Sequence, residues 1–138
     1  MKATLVPGLA FEIEFTVTPP MCPRFDDEPV HPVCATWTVV HYMELAGRRV
    51  LEPHLEPHEE GMGVQIRVDH RSPAVVGSVV HVCATATAVA AGRLTCAVRA
   101  AVGGRTVAEG EFVQAILPRQ AIARLIERHR PATPGSSS

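Results

Sequence analysis

The 138-residue chain carries no basic cluster, no long apolar run and no Cys-x-x-Cys pair. A formal net charge of −1 without a Lys/Arg patch argues against nucleic acid or an acidic membrane surface as the main partner. No apolar stretch approaches the roughly 18–20 residues that span a bilayer. Met1-Lys2 leads into a short mixed segment with Glu12 and Glu14 close behind, which does not read as a signal peptide. The expected location is the cytoplasm, with no membrane association. Cys22, Cys34, Cys83 and Cys96 lack metal or redox spacing and read as reduced, packed thiols. The length suits one domain with a real core, expected over residues 1–130 and followed by a disordered tail, PATPGSSS, at 131–138.

What is present is organised around Val33 to Leu51. At 100° per residue, Val33, Thr36, Trp37, Val40, Met43, Gly47 and Leu51 share an arc that Val39, Ala46 and Val50 extend. Thr38, His41, Arg48 and Arg49 take the other side. This pattern predicts a long helix that begins after Pro32 and ends near Leu51 or Glu52. Glu44 falls inside the apolar arc, where a carboxylate is costly unless paired, hydrogen-bonded or protonated. It is a functional candidate, or else a structural acid bonded to a backbone N–H.

Strands surround this helix in the sequence. Phe11 to Val17 alternates cleanly, with Phe11, Ile13, Phe15 and Val17 facing inward. Thr18 to Pro32 holds five prolines and is expected to be loop with one helical turn. Glu52 to Gly61 places His54 and His58 four apart among acids, a spacing that would bind metal on a helix. Pro53 and Pro57 argue against a helix, so a solvated acidic loop and no metal is the expectation. Val64 to His70 alternates again, with Val64, Ile66, Val68 and His70 on one face. Ser78 to Val89, Arg93 to Val102 and Arg105 to Leu117 read as strands joined by tight turns at Ala90-Ala91-Gly92 and Gly103-Gly104, with Gly110 marking a bulge. A short helix over Pro118 to His129 closes the chain.

One helix ahead of an antiparallel run defines an α+β chain. Strands rich in Ala, Thr and Val suit a sheet curved tightly around that helix: the hotdog fold, five antiparallel strands wrapped on one long central helix, plus a short C-terminal helix. The four later strands are expected to form a meander. Open sheet edges point to pairing of two copies.

Four marks carry a family likeness: Ala35-Thr36 at the helix start, Glu44 eight residues on, Gly63 opening the next strand, and His70 at that strand's end, 26 residues after Glu44. With these the chain resembles the hotdog acyl-CoA thioesterases, most closely the fluoroacetyl-CoA thioesterase-like branch. The resemblance implies hydrolysis of a small or medium acyl-CoA, with no separate cofactor because coenzyme A is part of the substrate. It implies Thr36, Glu44 and His70 as the catalytic set, and a homodimer or a dimer of dimers with sites near the subunit interface. The likeness also directs attention to three substrate-side positions: Gly63, whose surrounding backbone N–H groups are oxyanion-hole candidates, Trp37 as core or pocket wall, and Gln114. The segment before the helix is shorter here than in the fluoroacetyl enzyme and holds only Phe25 as an aromatic. Gln114 stands where that enzyme has arginine. Both features belong to fluoroacetyl recognition, so the likeness carries the chemistry further than that substrate.

Hydrolysis needs an activated nucleophile and a stabilised oxyanion. His70 is the expected general base, oriented by Glu44. The nucleophile is Thr36 or a water held by Thr36 and Glu44; Thr36 could equally be a helix cap. A non-catalytic acyl-CoA-binding module and an enoyl-CoA hydratase or dehydratase are the alternatives. The latter usually carries an Asp and a His about five apart, and no such pair lies near the main helix.

Overall fold

The computed structural model describes residues 1–132. One long helix, α1 (Thr36–Leu51), lies in the concave face of a five-stranded antiparallel sheet. The strands are β1 (Ala10–Thr16), β4 (Glu59–His70), β5 (Val79–Ala90), β6 (Arg93–Val102) and β7 (Arg105–Pro118), and their order across the sheet is β1-β5-β6-β7-β4. The expected meander is therefore corrected: β4 pairs with β7 and not with β5. Its link to β5, residues 71–78, crosses the end of the sheet by the start of α1, where Cys34 N–H donates to Ala74 O at 2.7 Å. This route leaves β4 at one edge, unpaired along its outer side.

The wrap is tight because the facing residues are small. Val39, Met43, Ala46, Val50 and Leu51 of α1 are buried, as are Ala84 and Ala86 of β5, Cys96 and Ala100 of β6, and Ala108 of β7. The observed core stripe is rotated from the expected arc. Val39, Ala46 and Val50 lie at its heart, whereas Trp37 is 52% exposed and Thr36 and Glu44 are also exposed. The apolar residues at 37 and 40 had widened the apparent stripe toward a flank that the single chain leaves open.

Three local differences bear on the site. Residues 18–32 hold a 3-10 turn (Pro19–Met21) and also a small hairpin, β2 (Arg24–Phe25) and β3 (Glu28–Pro29). Asp26 and Asp27 form its turn with φ of 52° and 63°, the left-handed pair that a two-residue hairpin requires. The register of β4 against β7 shifts between Gly63 and Gln65, so Val64 is bulged and 46% exposed instead of facing inward. Gly110 is not a bulge: it pairs with Val68 and Val98 in register. A methyl group there would lie 1.7 Å from Arg67 O, so the close approach of β4 to β7 requires glycine.

At the chain's end, α2 (Arg119–Arg128) follows Pro118 as expected, with none of its residues buried. The tail expected at 131–138 falls mostly on residues 133–138, outside the described residues. Among the described residues no helix is long and apolar enough to cross a membrane.

Candidate active site

Thr36 is the first residue of α1, and the N-cap is Ala35, which contributes no side-chain cap. The Thr36 hydroxyl is thus not consumed in capping. It meets the ring of His70, at the end of β4, with Oγ1 2.8 Å from Nδ1. With Nδ1 unprotonated the hydroxyl donates to it, and the ring proton then sits on Nε2. That Nε2 is buried without a hydrogen-bond partner among the described residues. The strand alternation explains the reach of His70: Ile66, Val68 and His70 are half-buried on the helix side, while Arg67 and Asp69 are exposed and ion-paired at 3.0 Å.

Glu44 lies eight residues along α1 from Thr36, about 12 Å of helix rise. It is exposed, and no hydrogen bond or ion pair joins it to His70 among the described residues. The expected orientation of His70 by Glu44 is therefore not made within one chain; the imidazole's partner is Thr36. Glu44 instead stands over Gly63, where a methyl group would lie 3.7 Å from Glu44 Oε1 and 3.2 Å from the Phe112 ring. A cleft of about 300 Å³ opens here, bounded by Glu44, Arg48, Gly61, Gly63, Phe112 and Gln114. Gln114 is buried and donates from Nε2 to Gly47 O at 3.0 Å. Trp37, next to Thr36, is not core: it meets Phe25 of the hairpin edge-on, with centroids 5.8 Å apart and planes at 89°.

The residues thus gather in two places, Thr36 with His70 and Glu44 with Gly63 and Gln114. A larger concavity, about 620 Å³, lies elsewhere, on the outer face of the sheet among Arg67, Arg99, Glu109 and Glu111. It holds none of the site residues and its charges are mixed. The thiols offer no rival nucleophile at the core: burial, with Cys22 nearby, pushes Cys34 up to about 11, and burial does the same to Cys96. His54 is hydrogen-bonded to Thr4 at 2.7 Å, and no group of three or more His, Cys, Asp or Glu is arranged to hold a metal among the described residues.

Sequence reasoning missed the clamp beside the cleft. Glu60 takes an ion pair from Arg48 on one side and from Arg119 on the other, the latter at 3.2 Å. Arg48 beside Glu60 holds its carboxyl below the usual carboxylate range, and the Gly61 N–H adds to this. Gly61 was also missed, although the Gly61-Met62-Gly63 alternation marks two same-face positions without side chains.

A five-stranded sheet wrapped on one central helix is the hotdog fold, here that of a thioester hydrolase. The chain belongs to the fluoroacetyl-CoA-specific thioesterase family, whose model matches residues 17–120. It is 30% identical to the fluoroacetyl-CoA thioesterase of Streptantibioticus cattleyicolor, over 96% of this chain and 99% of that protein. A hypothetical protein of Thermus thermophilus, a thioesterase superfamily member, superposes with a TM-score of 0.87 at 36% identity, over 91% of this chain and 93% of the other. A hot-dog-like protein from Thermanaerovibrio acidaminovorans shares the fold, with a TM-score of 0.81 at 19% identity over 91% and 94%. Acyl-CoA thioester hydrolysis is the activity this membership assigns.

Proposed function

We propose that the protein is a homodimeric, cytoplasmic acyl-CoA thioesterase acting on small or medium acyl groups, with Thr36, His70 and Glu44 as its catalytic residues. The observation that carries the chemical reading is the 2.8 Å contact between Thr36 Oγ1 and His70 Nδ1. In this reading the Thr36 oxygen attacks the thioester carbon while Nδ1 takes the hydroxyl proton. Collapse of the tetrahedral oxyanion expels the coenzyme A thiolate, which takes that proton and leaves the acyl group on Thr36. A water deprotonated by His70 then cleaves the ester and restores the hydroxyl. Backbone N–H groups at the start of α1 or around Gly63 stabilise the oxyanion.

The second copy completes the site. Among the described residues His70 Nε2 is buried without a partner, and Glu44 has no hydrogen bond or ion pair. The free edge of β4 supports antiparallel pairing with the same strand of another copy. A twofold axis at Arg67 keeps like faces together and, because Val64 is bulged out of the ladder, sets Gly63 of one copy across from His70 of the other. Glu44, which stands over Gly63, then approaches the other copy's imidazole. Its carboxylate accepts the Nε2 proton bond and steadies the imidazolium that forms.

Exposed apolar side chains at Trp37 and Val64 along this flank fit a covered face. The four cysteines are free, which suits a reducing compartment. Relatives named for fluoroacetyl-CoA suggest a short acyl group. Thiol release from short, long and aryl acyl-CoAs by the wild type and by Thr36→Ala tests this. Turnover that needs Thr36 is expected; turnover undiminished in Thr36→Ala contradicts its role as nucleophile.

A further inference from the structure

Glu44 and Arg48 line the same cleft and do not pair. Arg48 is the one arginine or lysine bordering it among the described residues. The two stand at i and i+4 on α1 with the acid first, the order in which a helix most readily pairs an acid with a base. Helical side chains also lean toward the N-terminus, which would carry the guanidinium toward Glu44. Yet among the described residues Glu44 has no ion pair, and Arg48 is drawn the other way.

Two acids hold Arg48 on its far side. Its Nε donates to Glu52 Oε1 at 3.1 Å, one turn further along the helix. Its Nη1 donates to Glu60 Oε1 at the start of β4. Glu60 is itself fixed in place: Oε1 also accepts the Gly61 N–H at 3.0 Å, and Arg119 of α2 lies 3.2 Å from Oε2. The hydrogen bond to Glu60 does most to raise the Arg48 guanidinium further above its usual range, and Glu52 adds to it.

We propose that Glu60, together with Glu52, is a positioning residue of the thioesterase: it restrains Arg48 so that the Glu44 carboxylate stays free for the other copy's His70. The inference rests on the reading that Glu44 accepts the Nε2 proton bond across the twofold axis. A carboxylate already paired with a guanidinium is a poorer partner for an imidazolium, because part of its charge and its lone pairs are engaged. With neutral amides at 52 and 60, Glu44 is the one carboxylate left bordering the cleft that Arg48 shares. A guanidinium bonds a carboxylate more strongly than it bonds an amide, so Arg48 turns back to Glu44.

The test is thiol release from an acyl-CoA that the wild type hydrolyses, with kcat and KM measured separately. Either acid could hold Arg48 alone, so both are changed. Glu52→Gln/Glu60→Gln is expected to lower kcat about three- to fivefold with KM little changed, the scale of one exposed ion pair gained in competition. The same double change made in Arg48→Met protein, compared with Arg48→Met alone, should cost nothing further. Acids that serve only as struts would lower the rate equally in both backgrounds. Melting temperatures check folding, and if the double variant does not fold, Glu60→Gln alone carries the same comparison. An unchanged kcat, or an equal loss with and without Arg48, overturns the proposal. If Glu44→Gln leaves kcat undiminished, the underlying reading of Glu44 fails and this proposal with it. A loss in Glu44→Gln without one in the double variant overturns this proposal alone.

Discussion

At the start of α1 a hydroxyl and an imidazole meet at 2.8 Å, drawn together from a helix and a strand of one chain. About two turns further along the same helix a carboxylate stands exposed over glycines, with no polar partner among the described residues. The first place has the parts of a nucleophile and its base. The second has room: Gly61 and Gly63 keep the wall bare, and Phe112 and Gln114 form the floor. The difference teaches that one chain brings the hydroxyl and the imidazole together by itself and keeps the carboxylate and its cleft apart from them. The 12 Å or so between them is a helix rise that no side-chain rotamer closes.

Substitutions at the two ends should therefore differ in size. His70→Ala removes the base and is expected to lower the rate of thiol release by 10²–10⁴-fold, at saturating substrate and with an unchanged melting temperature. Glu44→Gln keeps the shape and loses the charge, so a drop of about a hundredfold is expected in the same assay. Equal and negligible effects at both positions would break the comparison at its chemical root.

The cleft end gives smaller, structural effects. In Gly47→Ala the new methyl group would lie 2.6 Å from Phe112 Cδ2, so the floor must move. Overpacking of this kind costs about 1–3 kcal/mol, readable in a denaturant titration. The smallest effect belongs to the clamp. Because Arg48 holds the Glu60 carboxyl below the usual range, its contribution to stability is full above the unfolded value and is lost as pH falls through the folded one. Thermal stability should accordingly decline below about pH 4.3, and Glu60→Gln should flatten that part of the profile. A decline of the same slope in Glu60→Gln would place the acid sensitivity elsewhere.

The sequence made much of this legible, for reasons that can be stated. The long strands announced themselves by alternation, and α1 by its period. The set Thr36, Glu44, Gly63 and His70 was marked by the family likeness, since pattern alone singled out only the acid at Glu44. What failed was phase and non-local pairing. Counting Trp37 and Val40 as core rotated the inner face of α1, because a flank left open in one chain carries the same apolar residues as a core. The placement of β4 beside β7 depends on a crossing link whose geometry no local pattern encodes. The bulge at Val64 shifted half a strand by one residue. The hairpin that brings Phe25 to Trp37 has strands of two residues, too short to show a period, and Asp26-Asp27 was its one signal. Gln114 was singled out by likeness, but its bond to Gly47 joins residues 67 apart and could not be read from either.

Mixing inactive variants tests most directly whether the two ends meet between copies. His70→Ala and Glu44→Gln proteins would be unfolded together at equal concentration, refolded and assayed for thiol release. In a site shared across a twofold axis, each mixed dimer holds one site with both residues intact. Random pairing then restores about a quarter of wild-type activity. Activity that stays at the level of the separate variants, with mixed dimers shown to have formed, would contradict a site built from His70 of one copy and Glu44 of the other.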